Sequence, residues 1–224
     1  MGARNPSRNP NPSMPNSPTP CRWLVLVPTG LEREHLDLLP AADIHVALSG
    51  FGPVAAAASA AAAIAAHAPA RVLLLGIAGS FDEERFALGT ARTFDAVAMD
   101  GVGVGEGPER LLPSALGFPQ LATTHPPIFE RVELEGEAGL LVTTPAASAD
   151  ATEATQRRAR FPEALAEDME GFGVALACRL FGRPLTILRG ASNRTGDRES
   201  ARWQVRAALL AASARARALL SAPN

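Results

Sequence analysis

Carboxylates occupy two positions in this sequence where they could take part in proton transfer. Glu32 follows the short apolar run Trp23–Val27, and Glu170 immediately precedes the almost wholly apolar stretch Gly171–Leu180. A carboxylate in the first position could activate a water molecule. A carboxylate in the second position needs a polar partner, because burying an unpaired charge is costly. The hydroxyl groups of a sugar could be that partner. Both positions also suit an acid that only stabilises a helix N-terminus, and Glu34 competes with Glu32.

Three further segments have residue types suited to holding a ligand. Gly50–Pro53 lets the backbone approach a bound group and opens a helix N-terminus, which attracts oxygen atoms. The small residues of Gly76–Ser80 leave room for a flat or sugar-like ligand. Asn193 offers both a donor and an acceptor, which suits the edge of a 6-oxopurine, where O6 and N7 lie together. Tight turns, close helix–strand packing and helix capping are the structural alternatives.

Apolar runs that alternate with helical segments must position these residues. The predicted strands are Trp23–Val27, Asp43–Leu48, Val72–Leu75, Thr93–Met99, Leu140–Thr143 and Leu185–Leu188. The predicted helices are Glu32–Leu39, Pro53–His67, Ser148–Arg160, Asp168–Leu180 and Asp197–Leu220, the last with Trp203, Leu209 and Leu210 toward the core. The alternation predicts an α/β fold with a mixed, mostly parallel central sheet flanked by helices on both faces. Such folds bind ligands beyond the carboxyl ends of the strands, where the candidate residues lie.

Composition narrows the class of protein. The chain has 224 residues, 47% hydrophobic and 20% charged, and a net charge of −2. This is an ordinary globular balance that predicts neither nucleic acid nor a membrane as partner. The two Cys and four His residues form no metal motif, no Lys exists to complete a phosphate loop, and Gly101–Gly107 misses the dinucleotide register, so neither metal nor cofactor is expected. Residues 1–20 are predicted to be a disordered tail before a single domain, 21–224, of a cytoplasmic protein.

In order and spacing, these segments resemble the nucleoside phosphorylase and nucleosidase family over about residues 22–220. The most specific parts are Glu167–Gly171 and, after it, Arg189–Asn193. The start Pro28–Glu32 and the stretch Ser192–Trp203 are similar to a branch of the family that releases hypoxanthine by hydrolysis. The resemblance implies a three-layer fold, a small-molecule purine nucleoside substrate, cleavage between base and ribose, and a homo-oligomer, a dimer or larger.

The resemblance also implies roles for seven residues. The catalytic residues would be Glu32, which positions the attacking water, and Asn193, which faces N7 of the leaving base. The other five would bind the substrate: Phe51 at the 5′ substituent, Ala78 and Gly79 near the base and the nucleophile, and Met169 and Glu170 against the ribose.

Asn193 bears on the choice of base. Family members specific for adenine nucleosides carry Asp there, and a carboxyl group can donate toward N7 and accept from the 6-amino group. Asn donates its amide hydrogens instead, to N7 or O6 of hypoxanthine, which predicts a preference for 6-oxopurine nucleosides. An adenine nucleosidase, a phosphorylase and a non-catalytic binding protein are the alternatives. Only Arg33 lies in the turns near the nucleophile, which favours water over phosphate.

One feature sets the chain apart from adenine-specific relatives. These place an aromatic residue over the base after the fifth strand, whereas Thr143–Ala147 contains none. Arg194 and Arg198 are candidates to bind a carboxylate on the 5′ substituent, with solvated surface arginines as the alternative.

Overall fold

The structure is a computed structural model that describes residues 21–37 and 41–222. The predicted tail, residues 1–20, and the last two residues of the first predicted helix, Leu38 and Leu39, lie outside the described residues. The domain boundary at residue 21 therefore stays a prediction.

Strands and helices alternate along the described chain. In order they are β1 (Trp23–Val27), α1 (Gly30–His35), β2 (Ile44–Leu48), α2 (Pro53–His67), β3 (Arg71–Ser80), β4 (Ala91–Thr93), β5 (Ala96–Met99), α3 (Pro113–Leu116), β6 (Arg131–Glu133), β7 (Leu140–Thr143), α4 (Ala151–Arg160), β8 (Ala164–Asp168), α5 (Gly171–Leu180), β9 (Leu185–Arg194) and α6 (Val205–Ser221). Two 3₁₀ turns, Gly107–Glu109 and Ser200–Arg202, lie in the connections.

One mixed sheet joins the strands in the order β2-β1-β3-β8-β7-β5-β6, and β9 pairs with both β3 and β4. The β1–β2, β1–β3, β3–β9, β5–β7 and β7–β8 pairs are parallel. The β3–β8, β4–β9 and β5–β6 pairs are antiparallel. The predicted fold class, a mostly parallel sheet with helices on both faces, is confirmed.

Alternating side chains of the central strands supply two hydrophobic layers. On one face Leu24 and Leu74 belong to the same buried cluster as residues of α2 and α5. On the other face Val25 and Leu73 belong to a cluster with residues of α6. Because β1 and β3 are covered on both sides, their sequences are continuous apolar runs rather than alternating ones.

Strand β3 changes partners partway along its length, and this opens the sheet. Its first half pairs with β1 as far as Leu26 and Leu74. Its far end, Gly79–Ser80, pairs instead with β8. Between these two pairings, one edge of β3 at residues 75–78 has no strand beside it. The chain segments that follow β1 and β8 meet at this gap.

The structure corrects several predicted boundaries. Strands β3 and β9 run on through Ser80 and Arg194, so the segments predicted as turns after Leu75 and Leu188 are strand. Thr93–Met99 is two strands, not one. The chain bends at Asp95, whose side chain accepts a hydrogen bond from the Gly139 amide at 2.9 Å.

Three predicted helices begin later than expected. Helix α4 starts at Ala151 because Asp150 caps it, accepting from the amides of Thr152 and Glu153. The predicted start of α5 at Asp168 is wrong because Asp168 ends strand β8. Residues 197–204 precede α6 as a loop and a 3₁₀ turn, because Asp197 pairs with Arg202 and its carbonyl accepts from the Trp203 indole at 3.0 Å.

The predicted orientation of α6 holds only in part. Leu209 is buried, whereas Leu210 is 51% exposed, so its predicted core position is wrong. Trp203 lies before the helix and is half-buried. Within the described part of the chain, no helix is both long enough and apolar enough to cross a membrane.

Candidate active site

A cavity of about 260 Å³ opens where β3 changes partners. All seven predicted site residues line it: Glu32, Phe51, Ala78, Gly79, Met169, Glu170 and Asn193. They come from five separate segments of the chain, and the fold brings them together. The roles assigned to them remain predictions.

Glu32 lies in the first turn of α1, directly after β1. Thr29 caps this helix and accepts a hydrogen bond from the Glu32 amide, while its hydroxyl donates to Oε2 of Glu32 at 2.8 Å. The Ile77 amide donates to Oε1 at 3.1 Å. Glu32 therefore lies at a helix N-terminus, which was the alternative to a role in proton transfer. It is also a buried carboxylate of the cavity, 5% exposed.

Gly76 is required by the close approach of two charged side chains. A Cβ atom at this position would lie 2.6 Å from Oε1 of Glu32 and closer still to Nη1 of Arg189. Any larger residue would push these side chains apart. The small residues after Leu75 therefore serve the polar site as well as packing.

Glu170 stands at the head of α5 and is held from two sides. The Gly52 amide donates to its Oε1 at 3.2 Å, and Nη2 of Arg189 lies 3.2 Å from its Oε2. Gly173, one turn along α5, lets α2 approach closely, since a Cβ there would collide with the Pro53 carbonyl. This contact brings the Gly50–Gly52 turn to Glu170.

Arg189 begins the segment Arg189–Asn193, but the sequence assigns it no role of its own. It is fully buried and pairs with Asp168 and Glu170. Asp168 also accepts hydrogen bonds from the Thr143 hydroxyl at 2.6 Å and from the Gly171 amide at 2.9 Å. The Asp168 carboxylate thus accepts from the first amide of α5 and fixes Arg189. The only available signal was an Arg at the end of an apolar strand.

Burial raises the pKa of Glu170 to about 7, against the opposing charge of Arg189, with Asp168 and Glu32 adding to the rise. A carboxyl group poised near neutral pH can exchange protons or hydrogen bonds with a bound molecule. Strongly shifted carboxyl groups in clefts are a mark of functional sites.

This shift predicts a pH-dependent cost to stability that Glu170→Gln removes. The folded protein binds a proton on Glu170 up to about pH 7, and the unfolded chain loses it near pH 4.3. Stability is therefore lost as the pH rises between these values. The free energy of unfolding of Glu170→Gln relative to the native protein should rise by about 2 kcal/mol from pH 5 to pH 8. Urea denaturation at both pH values measures it; a pH-independent difference would contradict the shift.

Asn193 reaches the cavity because β9 carries a bulge. Ala78 faces Ala191 and Gly79 faces Asn193, so Ser192 is an extra residue and both Ser192 and Asn193 line the cavity. Bulges of this kind re-aim side chains beside active sites. Asn193 Oδ1 accepts from the Ser192 hydroxyl at 2.8 Å and Nδ2 donates to the Arg194 carbonyl at 2.8 Å. These contacts fix the plane of the amide.

The remaining predicted residues form the walls. Ala78 and Gly79 lie on β3, and Met169 lies between β8 and α5. Phe51 stands at the opening and is 68% exposed. The structure adds Trp203, whose ring lies 5.0 Å from the Arg198 guanidinium, and both of these residues line the cavity.

The other arginine candidate lies outside this cavity. Arg194 pairs with Glu83 on the surface at 2.6 Å. Among residues 21–37 and 41–222, no group of three or more His, Cys, Asp or Glu side chains could hold a metal ion.

Comparisons with known proteins find relatives over most of the chain. Residues 34–222 match the phosphorylase superfamily. The chain is 38% identical over 174 residues to futalosine hydrolase of Streptomyces coelicolor, covering 73% of this chain and 72% of that protein. It is 34% identical over 221 residues to futalosine hydrolase of Thermus thermophilus, covering 89% and 95%.

A solved structure supports the fold. The 5′-methylthioadenosine/S-adenosylhomocysteine nucleosidase of Helicobacter pylori superposes with a TM-score of 0.71 at 17% identity, covering 90% of this chain and 98% of that one. The family match spans most of the chain, and both hydrolases exceed 30% identity over more than two thirds of it. This chain belongs to the phosphorylase superfamily.

Proposed function

We propose that the protein hydrolyses the N-glycosidic bond of futalosine, releasing hypoxanthine and dehypoxanthine futalosine, as a step of menaquinone biosynthesis. The observation that carries the proposal is the position of two side chains along β3. The carboxylate of Glu32 accepts from the Ile77 amide, and Asn193 lies opposite Gly79, two residues further on. The similarity to two futalosine hydrolases supports it.

The reaction follows from these positions. Glu32 takes a proton from a water molecule, whose oxygen bonds to C1′ as the bond from C1′ to the base breaks. The bonding electrons leave with the base, and the amide of Asn193 donates a hydrogen bond to its N7 or O6 and stabilises the developing charge. The base anion then takes a proton from solvent to give hypoxanthine, and Glu32 releases to solvent the proton that it took from the water. Glu170 and Met169 hold the ribose. Nη1 of Arg189 makes no hydrogen bond to the described protein atoms and lies beside Glu32, where it is free to donate to the water.

The charges at the site favour water over phosphate as nucleophile. Phosphorolysis needs cationic groups to bind the phosphate. Arg33 is exposed to solvent. Arg189 has one free donor group, Nη1, but its charge is offset by the paired carboxylates of Asp168 and Glu170. The carboxylate of Glu32 would repel phosphate at the position where the nucleophile must stand. The site is therefore that of a hydrolase.

The test is product analysis with the full chain. In phosphate-free buffer made with ¹⁸O-labelled water, futalosine should give hypoxanthine and a sugar product that carries one labelled oxygen. Added phosphate should change neither product. Cleavage that requires phosphate and yields a sugar 1-phosphate would identify a phosphorylase, and release of no base would exclude a nucleosidase.

We further propose a homo-oligomer in the cytoplasm, with a second copy of the chain covering the cavity opening. Leu31 and Phe51 line the cavity and are 58% and 68% exposed, and Val54, three residues after Phe51 in the chain, is 83% exposed. Large apolar side chains that are this exposed near a cavity are typical of a protein interface. Cys21 and Cys178 are free thiols, which a reducing compartment keeps reduced.

Val54→Arg is expected to dissociate this oligomer. Light scattering at micromolar concentration should give a dimer or larger assembly for the native protein and a monomer for the variant. The KM of the variant for futalosine should be higher, because the second copy no longer packs against Phe51. Leu210→Arg is the matched control, since Leu210 is 51% exposed on α6 and α6 packs against the other face of the sheet. A native monomer, or a variant that stays oligomeric, would contradict this interface.

A further inference from the structure

Three arginines lie at the end of β9 and in the loop that follows it: Arg194, Arg198 and Arg202. Arg194 pairs with Glu83 at 2.6 Å, and Arg202 pairs with Asp197 at 2.8 Å. Arg198 is exposed, and no described residue pairs with its charge or accepts a hydrogen bond from its side chain. Of the three, only Arg198 lines the active-site cavity. It therefore brings an unbalanced positive charge to this cavity.

The ring of Trp203 holds the guanidinium of Arg198. The guanidinium carbon lies over the ring, 5.0 Å from its centre, which is within the range of a cation–π contact. The ring is itself fixed, because its indole N–H donates to the Asp197 carbonyl at 3.0 Å. A cation–π contact requires no N–H group as a donor, so the five N–H groups of Arg198 stay available for a ligand.

The backbone that carries Arg198 is anchored on both sides. The Asp197 amide donates to the Arg194 carbonyl at 3.0 Å, which closes a tight turn. Gly196 in this turn has a φ of +84°, and a Cβ atom there would collide with the carbonyl of Asp150, the residue that caps α4. The turn therefore packs directly against the start of α4. A loop that is held in this way presents Arg198 with little ordering left to do on binding.

Arg198 lies at the opening of the cavity. Among the lining residues, Glu32, Glu170 and Asn193 are buried and form the floor, whereas Phe51 and Arg198 are exposed. The cavity volume of about 260 Å³ is below the range of roughly 300–1,000 Å³ that is usual for small-molecule sites. A nucleoside with a large 5′ substituent exceeds this volume. With the base and the ribose on the floor, the far end of the substituent must lie at the opening.

The side chains at the opening match an aromatic acid. Phe51, Leu31 and Trp203 offer apolar surface to an aryl ring. Arg198 offers paired N–H donors, whose planar fork matches the two oxygens of a carboxylate. The aromatic 5′ substituent of futalosine carries such a carboxylate. Its charge would balance the one positive charge at the opening that lacks a described partner.

We propose that Arg198 is a specificity-determining residue, whose guanidinium binds the carboxylate of the 5′ substituent. This rests on the proposed function and extends it to the end of the substrate that is remote from the base. The contact is the same before and during cleavage at C1′, so it lowers KM and leaves kcat unchanged. An arginine that only interacts with solvent would not distinguish an acidic substituent from a neutral one.

The test compares futalosine with its methyl ester, in which the carboxylate has lost its charge. The native chain should have a kcat/KM about fivefold higher for the acid, as one partly exposed ion pair gives. In Arg198→Gln this ratio should fall to near unity through KM, and Arg198→Glu should prefer the ester, because like charges repel. Arg206→Gln is the control: Arg206 is an exposed residue of α6 outside the cavity, and this variant should keep the native ratio.

A ratio that is the same in Arg198→Gln as in the native chain would overturn the proposal, since another group would then bind the carboxylate. Equal kcat/KM of the native chain for acid and ester would overturn it too. Either result leaves the hydrolase assignment intact, whereas failure of the native chain to release hypoxanthine from both substrates overturns the proposed function.

A measurement on the native chain alone decides if the variants do not fold. The preference for the acid should shrink as sodium chloride rises from about 0.05 M to about 0.5 M, because salt screens an exposed ion pair. A preference that does not depend on salt would contradict binding by Arg198.

Discussion

Glu32→Gln is expected to lower kcat for futalosine by about 10²–10⁴-fold, the usual contribution of a general base. The Gln oxygen can still accept from the Ile77 amide and its NH₂ group can donate to the Thr29 hydroxyl, so both native contacts of the side chain survive. Only the capacity to take a proton from water is lost. Steady-state kinetics together with a thermal melt separate this loss from unfolding.

Glu34→Gln is the control for that experiment. Glu34 lies on the same short helix but is exposed to solvent, so its substitution removes an equal charge without touching the cavity. Its kcat should match that of the native protein. A Glu32→Gln variant with near-native turnover would show that another group activates the water.

Asn193→Ala is expected to lower kcat by about 10²–10³-fold, because it removes the donor to the departing base. The contacts that orient Asn193 are local, to Ser192 and to the Arg194 carbonyl, so the fold should survive their loss. The measurement is kcat for futalosine at saturation.

Asn193→Asp is the companion variant. It places at this position the residue type that the family resemblance implies for adenine specificity, and a carboxyl group can donate toward N7 and accept from a 6-amino group. Its kcat for futalosine should fall, and the ratio of its kcat for the 6-amino analogue to its kcat for futalosine should rise above the ratio of the native protein. If Asn193→Ala kept most of its kcat, the amide would have no part in base departure.

The parts of the fold that could be predicted from the sequence are those fixed by local apolar pattern. The runs Trp23–Val27 and Leu140–Thr143 are strands with the predicted bounds. The Ala-rich helix also has its predicted bounds, Pro53–His67. These segments are buried on the faces that their patterns indicate. Local propensity and tertiary environment agree there.

Strand β8 could not be predicted because its residues disfavour strands. Its sequence, Ala-Leu-Ala-Glu-Asp, contains residue types depleted in sheets. It is nevertheless buried throughout, because partners far along the chain satisfy its two acids. Arg157 pairs with Glu167 and Arg189 pairs with Asp168. No periodicity within five residues reports such long-range pairing.

The candidate site also contains residues that the sequence could indicate and residues that it could not. Glu32, Glu170 and Asn193 could be singled out because polar residues after buried strands meet at one edge of an α/β sheet. Arg189 and Glu167 each begin a segment that the sequence singles out, but their own roles could not be predicted, because these come from ion pairs with residues far along the chain. The sequence predicts Trp203 in the core, as part of a long terminal helix, whereas the Asp197 loop turns it to the cavity.

The central claim is that the cavity recognises a 6-oxopurine through a neutral amide and cleaves it with water. The most direct measurement is kcat/KM of the native full chain for futalosine and for its 6-amino analogue, side by side in phosphate-free buffer. We predict a ratio of at least about 10² in favour of futalosine, as expected when a site built for one hydrogen-bonding pattern meets another. Equal values, or a preference for the amino analogue, would contradict it.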